Sequence, residues 1–132
     1  MAAQPATEAE SIQGALDDIV RFGLALPEVV ESTSYGQPAL KRGDKLIFAL
    51  RKDLETLALV CGFEERATLM KKYPDAFFIT DHYLDYPSVV VRLLTVKRSV
   101  LRRVVKAAWA RLGAVRPRKR RPQSSPPPAR RR

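Results

Sequence analysis

Few residues in this 132-residue chain are equipped for catalysis. It holds one cysteine and one histidine, Cys61 and His82. An imidazole beside a thiol lowers the thiol pKa and makes a nucleophile. Cys61, however, closes an apolar run, where a cysteine behaves as a small hydrophobe, and no neighbouring residue completes the pair. Asp81, His82 and Asp85 lie close together and offer oxygen and nitrogen ligands. A closed zinc site draws four ligands mostly from Cys and His, which this chain cannot supply. An open site of two carboxylates and one imidazole is conceivable, but a polar loop in which Asp81 accepts backbone N–H bonds explains the same residues. Gly36, Gly43 and Gly62 are isolated, so no glycine-rich loop cradles a phosphate. Glu64 and Glu65 point about 100° apart on a helix and suit the positive end of its dipole. The expectation is no catalytic residue, no metal and no cofactor.

Binding to polyanions is what the composition favours. Lys and Arg number 24 against 14 Asp and Glu, a net charge of +10. Arg116–Arg132 carries eight of those cations and no acid, which leaves only +2 for Met1–Val115. Cations that meet phosphates release counterions and give affinity without sequence preference. In the tail the expected contacts are Arg118, Lys119, Arg120, Arg121, Arg130, Arg131 and Arg132, seven of the eight. In the body, Lys41, Arg42, Lys45, Arg51 and Lys52 gather at two expected turns, where a basic hairpin can lie along a groove. Asp44, Asp53 and Glu55 dilute that field, and basic residues at turns or edge strands are also ordinary. Tyr35, Tyr83 and Tyr86 fall in loop-like sequence and could stack on bases. Phe48, Phe77, Phe78 and Trp109 read as packing residues.

The elements that position these residues follow from periodicity. Ile12, Leu16, Ile19, Gly23 and Leu26 recur at helical spacing, with Thr7 and Glu10 as a capping box (Ser11 is the competing cap) and Leu26-Pro27 as the stop. Asp17 and Asp18 lie opposite that stripe, where solvation is expected. Ala39–Arg42 and Lys45–Arg51 flank Gly43-Asp44, a glycine-first pair suited to a type II′ hairpin turn. Lys52-Asp53 is a second turn, followed by a strand over Leu54–Cys61. A helix spans Glu64–Lys72, ended by Pro74. Strands cover Phe77–Thr80 and Ser88–Leu94, the second with a β-branched Val89-Val90-Val91 run. A final helix over Arg98–Leu112 places Leu101, Val104, Val105, Ala108 and Leu112 on one face. Arg98, Arg102, Arg103 and Lys106 fall on the other, and Gly113 is its expected stop. The reading is an α+β, two-layer domain over residues 11–115, an antiparallel sheet with helices packed on it. A flexible arm (1–10) precedes it and a disordered Arg/Pro-rich tail (116–132) follows. No run approaches the roughly 18–20 apolar residues that cross a bilayer, and no signal peptide is expected. With one cysteine, a reducing, cytoplasmic setting is expected; a monomer is expected too.

Thr33-Ser34-Tyr35-Gly36-Gln37-Pro38-Ala39-Leu40, followed by Lys45-Leu46, resembles the MmcQ/YjbR-like family. Glu64-Glu65-Arg66, Phe77-Phe78-Ile79-Thr80-Asp81-His82-Tyr83, Tyr86-Pro87, Val90-Val91-Arg92-Leu93, Leu101 and Ala108-Trp109 extend the resemblance over roughly Ile12 to Leu112. It implies a compact α+β domain similar to the fold class that includes secretion chaperones. It also implies DNA binding by a double-wing arrangement of hairpins, with no catalytic residues. Carried to this sequence, the wings would be the turns at Gly43-Asp44 and Lys52-Asp53. Lys97 departs from the pattern where relatives carry a helix-capping acid, and the tail lies outside it.

The sequence therefore points to a non-enzymatic protein binding DNA mainly through charge, using the wings and the tail. The alternative is a protein-interaction or chaperone-like module whose tail meets an acidic protein or RNA. A third reading is a ligand-binding or enzymatic domain built on the Tyr35, His82, Tyr83 and Tyr86 loops.

Overall fold

The computed structural model describes residues 7–114. Helix α1 (Glu8–Leu24) starts inside the arm expected from sequence, because the capping box captures its first turn. The Thr7 hydroxyl accepts from the Glu10 N–H at 3.1 Å, and the Glu10 carboxylate accepts from the Thr7 N–H at 2.9 Å. That second bond holds the Glu10 carboxyl below its usual range. Four strands follow: β1 (Val29–Ser34), β2 (Gln37–Arg42), β3 (Lys45–Leu50) and β4 (Thr56–Val60). Helix α2 (Phe63–Lys72), the short strand β5 (Phe77–Phe78), a turn of 3₁₀ helix (Asp81–Tyr83), strand β6 (Ser88–Arg92) and helix α3 (Arg98–Ala114) complete the order.

The strands form one antiparallel sheet in the order β1-β2-β3-β4-β6-β5, so the domain is α+β as expected. Alternation along the strands divides the two faces. Leu40, Phe48, Leu59 and Val89, with Leu50, Leu57, Val91 and Phe77, enter one apolar layer with Ile12, Leu16 and Ile19 of α1, Leu69 of α2, and Leu101, Val104, Val105 and Ala108 of α3. The opposite face carries a cross-strand row of smaller side chains, Ser32, Ala39, Ala49, Ala58 and Val90, ending at Phe78.

Two expectations about the helices are corrected. Asp18 is not solvated: it is 8% exposed and accepts from the Arg102 guanidinium, with the Arg102 Nε at 3.0 Å. That bond holds the Asp18 carboxyl below its usual range against the opposing effect of burial. Gly113 does not stop α3, which continues to Ala114. The contacts between α1 and α3 advance together: Gly14 lies beside Arg98, Asp18 bonds Arg102, and Pro27, just past α1, accepts from the Trp109 indole N–H at 2.8 Å. The two helices therefore run parallel across the sheet.

The largest omission from the sequence reading is β1. Its six residues, Val-Val-Glu-Ser-Thr-Ser, pair only with β2 and are half-buried to exposed, so they lack the apolar alternation that marks an inner strand. Leu54, expected inside a strand, occupies a turn with φ of 62°. Strand β5 is limited to Phe77–Phe78 and β6 ends at Arg92.

Candidate nucleic-acid interface

The hairpin joining β2 and β3 has the expected glycine-first turn, with Gly43 at φ 63° and Arg42 paired to Lys45. Leu40 pairs with Phe48 while Lys41 pairs with Leu46, so Ile47 is an extra residue that bulges β3 beside the turn. This end of the hairpin is stapled to the end of α3. The Arg42 Nε and Nη2 donate to one Glu28 carboxylate oxygen at 2.9 and 2.7 Å, and Nη1 donates to the Trp109 carbonyl at 2.7 Å. The same guanidinium carbon lies 4.3 Å from the Trp109 ring centroid. Gly113 admits the guanidinium: a Cβ there would sit 2.7 Å from the Arg42 Cζ. An open groove of about 590 Å³ results, with Glu28, Asp44, Lys45, Trp109 and Gly113 among its walls. Arg42 is therefore engaged within the domain. Lys41 is half-buried and Lys45 exposed, and neither forms an ion pair among the described residues.

The second expected wing, at Arg51–Leu54, is organised by Asp53. Its Oδ1 accepts from the Glu55 and Thr56 N–H groups at 2.9 and 3.0 Å, and its Oδ2 accepts from the Thr56 hydroxyl at 2.7 Å. Burial pushes the Asp53 carboxyl up, but these bonds outweigh it and hold it below the usual range. Arg51 donates to the Thr56 hydroxyl at 3.1 Å, pairs with Asp53, and lies 5.6 Å from the Tyr83 ring centroid. Lys52 remains exposed.

The two expected wings flank the same strand and so lie at opposite ends of it. At about 3.3 Å per residue their tips are separated by roughly 30 Å. The five cations that sequence groups together are two patches facing away from each other. The hairpin tip beside Lys52-Asp53 is instead the β1–β2 turn, Tyr35-Gly36, about two strand spacings (~10 Å) away. Both its central residues have positive φ, 51° and 81°, the sign pattern of a type I′ turn. Tyr35 is 98% exposed. Sequence reasoning missed this turn because a tyrosine stands where Asn, Asp or Gly is the usual signal.

Two of the four cations expected on the exposed face of α3 are engaged as well. Arg102 binds Asp18, and the Arg103 Nη2 donates to the Tyr73 hydroxyl at 3.1 Å. Arg118, Lys119, Arg120, Arg121, Arg130, Arg131 and Arg132 lie outside the described residues, which end where α3 meets the β2–β3 turn.

Arg66 is the residue that sequence reasoning underestimated. Buried on α2, it donates through Nη1 to the carbonyls of Tyr83, Tyr86 and Ser88 at 2.9, 2.8 and 3.1 Å, and through Nη2 to that of Leu84 at 3.1 Å. One guanidinium thus fixes the β5–β6 connection. His82 is exposed on it, with its ring edge-on to Tyr83 at 4.9 Å between centroids. Cys61 is buried in the core, where burial pushes its thiol up to about 11, whereas His82 is exposed. Asp81, His82 and Asp85 do not converge as a metal-holding group among the described residues. Tyr35 lies at the tip of the opposite hairpin, with β2, β3 and β4 between β1 and the strand that follows this connection.

A family model described as YjbR matches residues 24–111. The chain is also similar to the crystal structure of a Deinococcus radiodurans protein with a DUF419 domain. The two are 19% identical, with a TM-score of 0.63 over 76% of this chain and 79% of the other. No curated protein matches. Among the described residues no helix is long and apolar enough to cross a membrane.

Proposed function

This chain belongs to the YjbR family, and on that footing we propose that it binds DNA, mainly through charge, at the end of the domain where α3 meets the β2–β3 turn. The observation that carries this reading is the Arg42 staple. It joins the helix from which eight further cations follow in sequence to the hairpin that presents Lys41 and Lys45. The cations of tail and hairpin then act as one field. Arg42 organises that field rather than contacting phosphate, and Arg51 and Lys52 stand outside it. In this reading affinity comes mainly from counterion release rather than from base-edge contacts.

Fluorescence anisotropy with duplex DNA over a salt series tests the reading. Engagement of all eight tail cations gives a log–log slope of about −7, and Lys41 with Lys45 brings it to about −9. The Lys41→Ala/Lys45→Ala variant is expected to lose about 2 from that slope, and Lys52→Ala to lose nothing. Absence of binding at low salt overturns the proposal.

A protein-interaction reading is favoured by a different observation. The adjacent tips at Tyr35 and Leu54 each expose a large side chain from a left-handed backbone. Left-handed geometry at non-glycine residues is costly and concentrates where it serves recognition. Loss of DNA binding together with a partner footprint on those two tips would favour it.

A further inference from the structure

Phe63, Leu84 and Tyr86 are 50%, 55% and 57% exposed, and all three residues are gathered around the Arg66 guanidinium. The Arg66 guanidinium carbon lies 4.8 Å from the Phe63 ring centroid, and its N–H groups hold the carbonyls of Leu84 and Tyr86. The His82 ring extends the surface, 6.0 Å from that of Tyr86. Four carboxylates accompany it: Glu64 and Glu65 follow Phe63 on the first turn of α2, and Asp81 and Asp85 lie on the connection itself. None of the four is in an ion pair among the described residues. The nearby cations are fewer than the four carboxylates, and one of them is already paired. Arg66 is spent on carbonyls, Arg51 on Asp53 and Thr56, and Arg111 lies beside Gly62.

We propose that this acidic aromatic surface is the docking site for the chain's own residues 116–132, bound in cis. The segment has eight cations, five prolines and no acid, the charge complement of the surface. Proline-rich sequence favours the extended polyproline conformation, whose rings pack on aromatic side chains while flanking arginines meet carboxylates. The connection is short. Arg111 approaches Gly62, its Cζ 3.8 Å from where a Cβ would lie, and Phe63 is the next residue. At about 3.1 Å per residue the segment spans roughly 50 Å, enough to cross the surface. A tether of this length supplies an effective concentration on the order of millimolar, so weak individual contacts suffice. The same cations are those assigned above to DNA, so docking and DNA binding exclude one another.

The test uses the full chain in the absence of DNA, so its outcome is independent of the DNA reading. A nitroxide is attached at Ser124→Cys; buried Cys61 is not labelled. Broadening of amide signals is expected to concentrate at Gly62–Arg66 and Asp81–Pro87. It is expected to vanish at about 0.5 M salt, where screening confines charge interactions to a few ångströms. It is also expected to vanish in Asp81→Asn/Asp85→Asn/Tyr86→Ala, whose dispersed spectrum reports that the fold is kept. Broadening spread evenly over the surface, centred on Lys41–Lys45, or undiminished in the variant overturns the proposal. Equal broadening in a mixture of isotope-labelled wild type and unlabelled spin-labelled chain assigns the site to a second copy and overturns docking in cis.

Discussion

Arg42 and Trp109, 67 residues apart, form one unit: the guanidinium lies against the indole face and donates to the carbonyl of the same residue. A side chain that sequence assigns to phosphate is thereby a strut between hairpin and helix. Arg42→Ala is expected to destabilise the domain by about 2 kcal/mol, the scale of losing charge-assisted bonds and a cation–π contact. Urea denaturation measures this. Unchanged stability together with loss of DNA affinity would show that Arg42 is a phosphate ligand after all.

Arg66 serves four carbonyls, of which those of Tyr83 and Tyr86 also accept from the Tyr86 and Ser88 N–H groups. Arg66→Ala is expected to cost about 2 kcal/mol or more, since four part-buried charge-assisted bonds are lost together. Arg66→Lys is expected to recover only part of this, because an ammonium cannot reproduce the planar fork. Hydrogen exchange should quicken first over Tyr83–Ser88 in both variants.

The Asp18 carboxyl is held low in the folded chain by its Arg102 partner, against an ordinary value of 3.8. A depressed folded pKa gives stability that is present above the unfolded pKa and lost as the pH falls through the folded one. The domain is therefore expected to weaken progressively on acidification below about pH 4. The stability gap between wild type and Asp18→Asn should narrow over the same range. A gap independent of pH between 7 and 2 would contradict the assignment.

Tyr35 makes its turn with a left-handed backbone and a side chain almost wholly in solvent. Tyr35→Asn is expected to raise stability by up to about 1 kcal/mol, since Asn tolerates that conformation and no packing is lost. A drop in thermal midpoint would mean that the ring makes a contact in the folded state.

What sequence could and could not reveal divides along physical lines. The α1 and α3 stripes, the Thr7–Glu10 cap and the Gly43 turn are local patterns, legible because each is set by residues a few positions apart. The edge strand β1 is illegible because one-sided pairing removes the alternation that burial imposes. The role of Arg66 is hidden because its partners are backbone carbonyls 17 to 22 residues downstream, which have no side-chain signature. Asp18 reads as solvated because its partner is 84 residues away. The candidate site was half legible: the cations at Lys41 and Lys45 stand at the expected turn, but reading a strand's two flanking turns as neighbours ignores that a strand has two ends.

The parallel pairing of α1 with α3 sets an order on assembly. Strands β1 to β4 are successive neighbours and can zip from short-range contacts, whereas the apolar stripe of α1 meets its helical partner only when the last element arrives. Chains ended before Arg98 have the sequence of every strand but leave Ile12, Leu16 and Ile19 without the α3 side chains that share their core. Such fragments are expected to associate through that stripe rather than persist as monomers. Synthesis of this domain is thus an all-or-nothing event decided by its final helix.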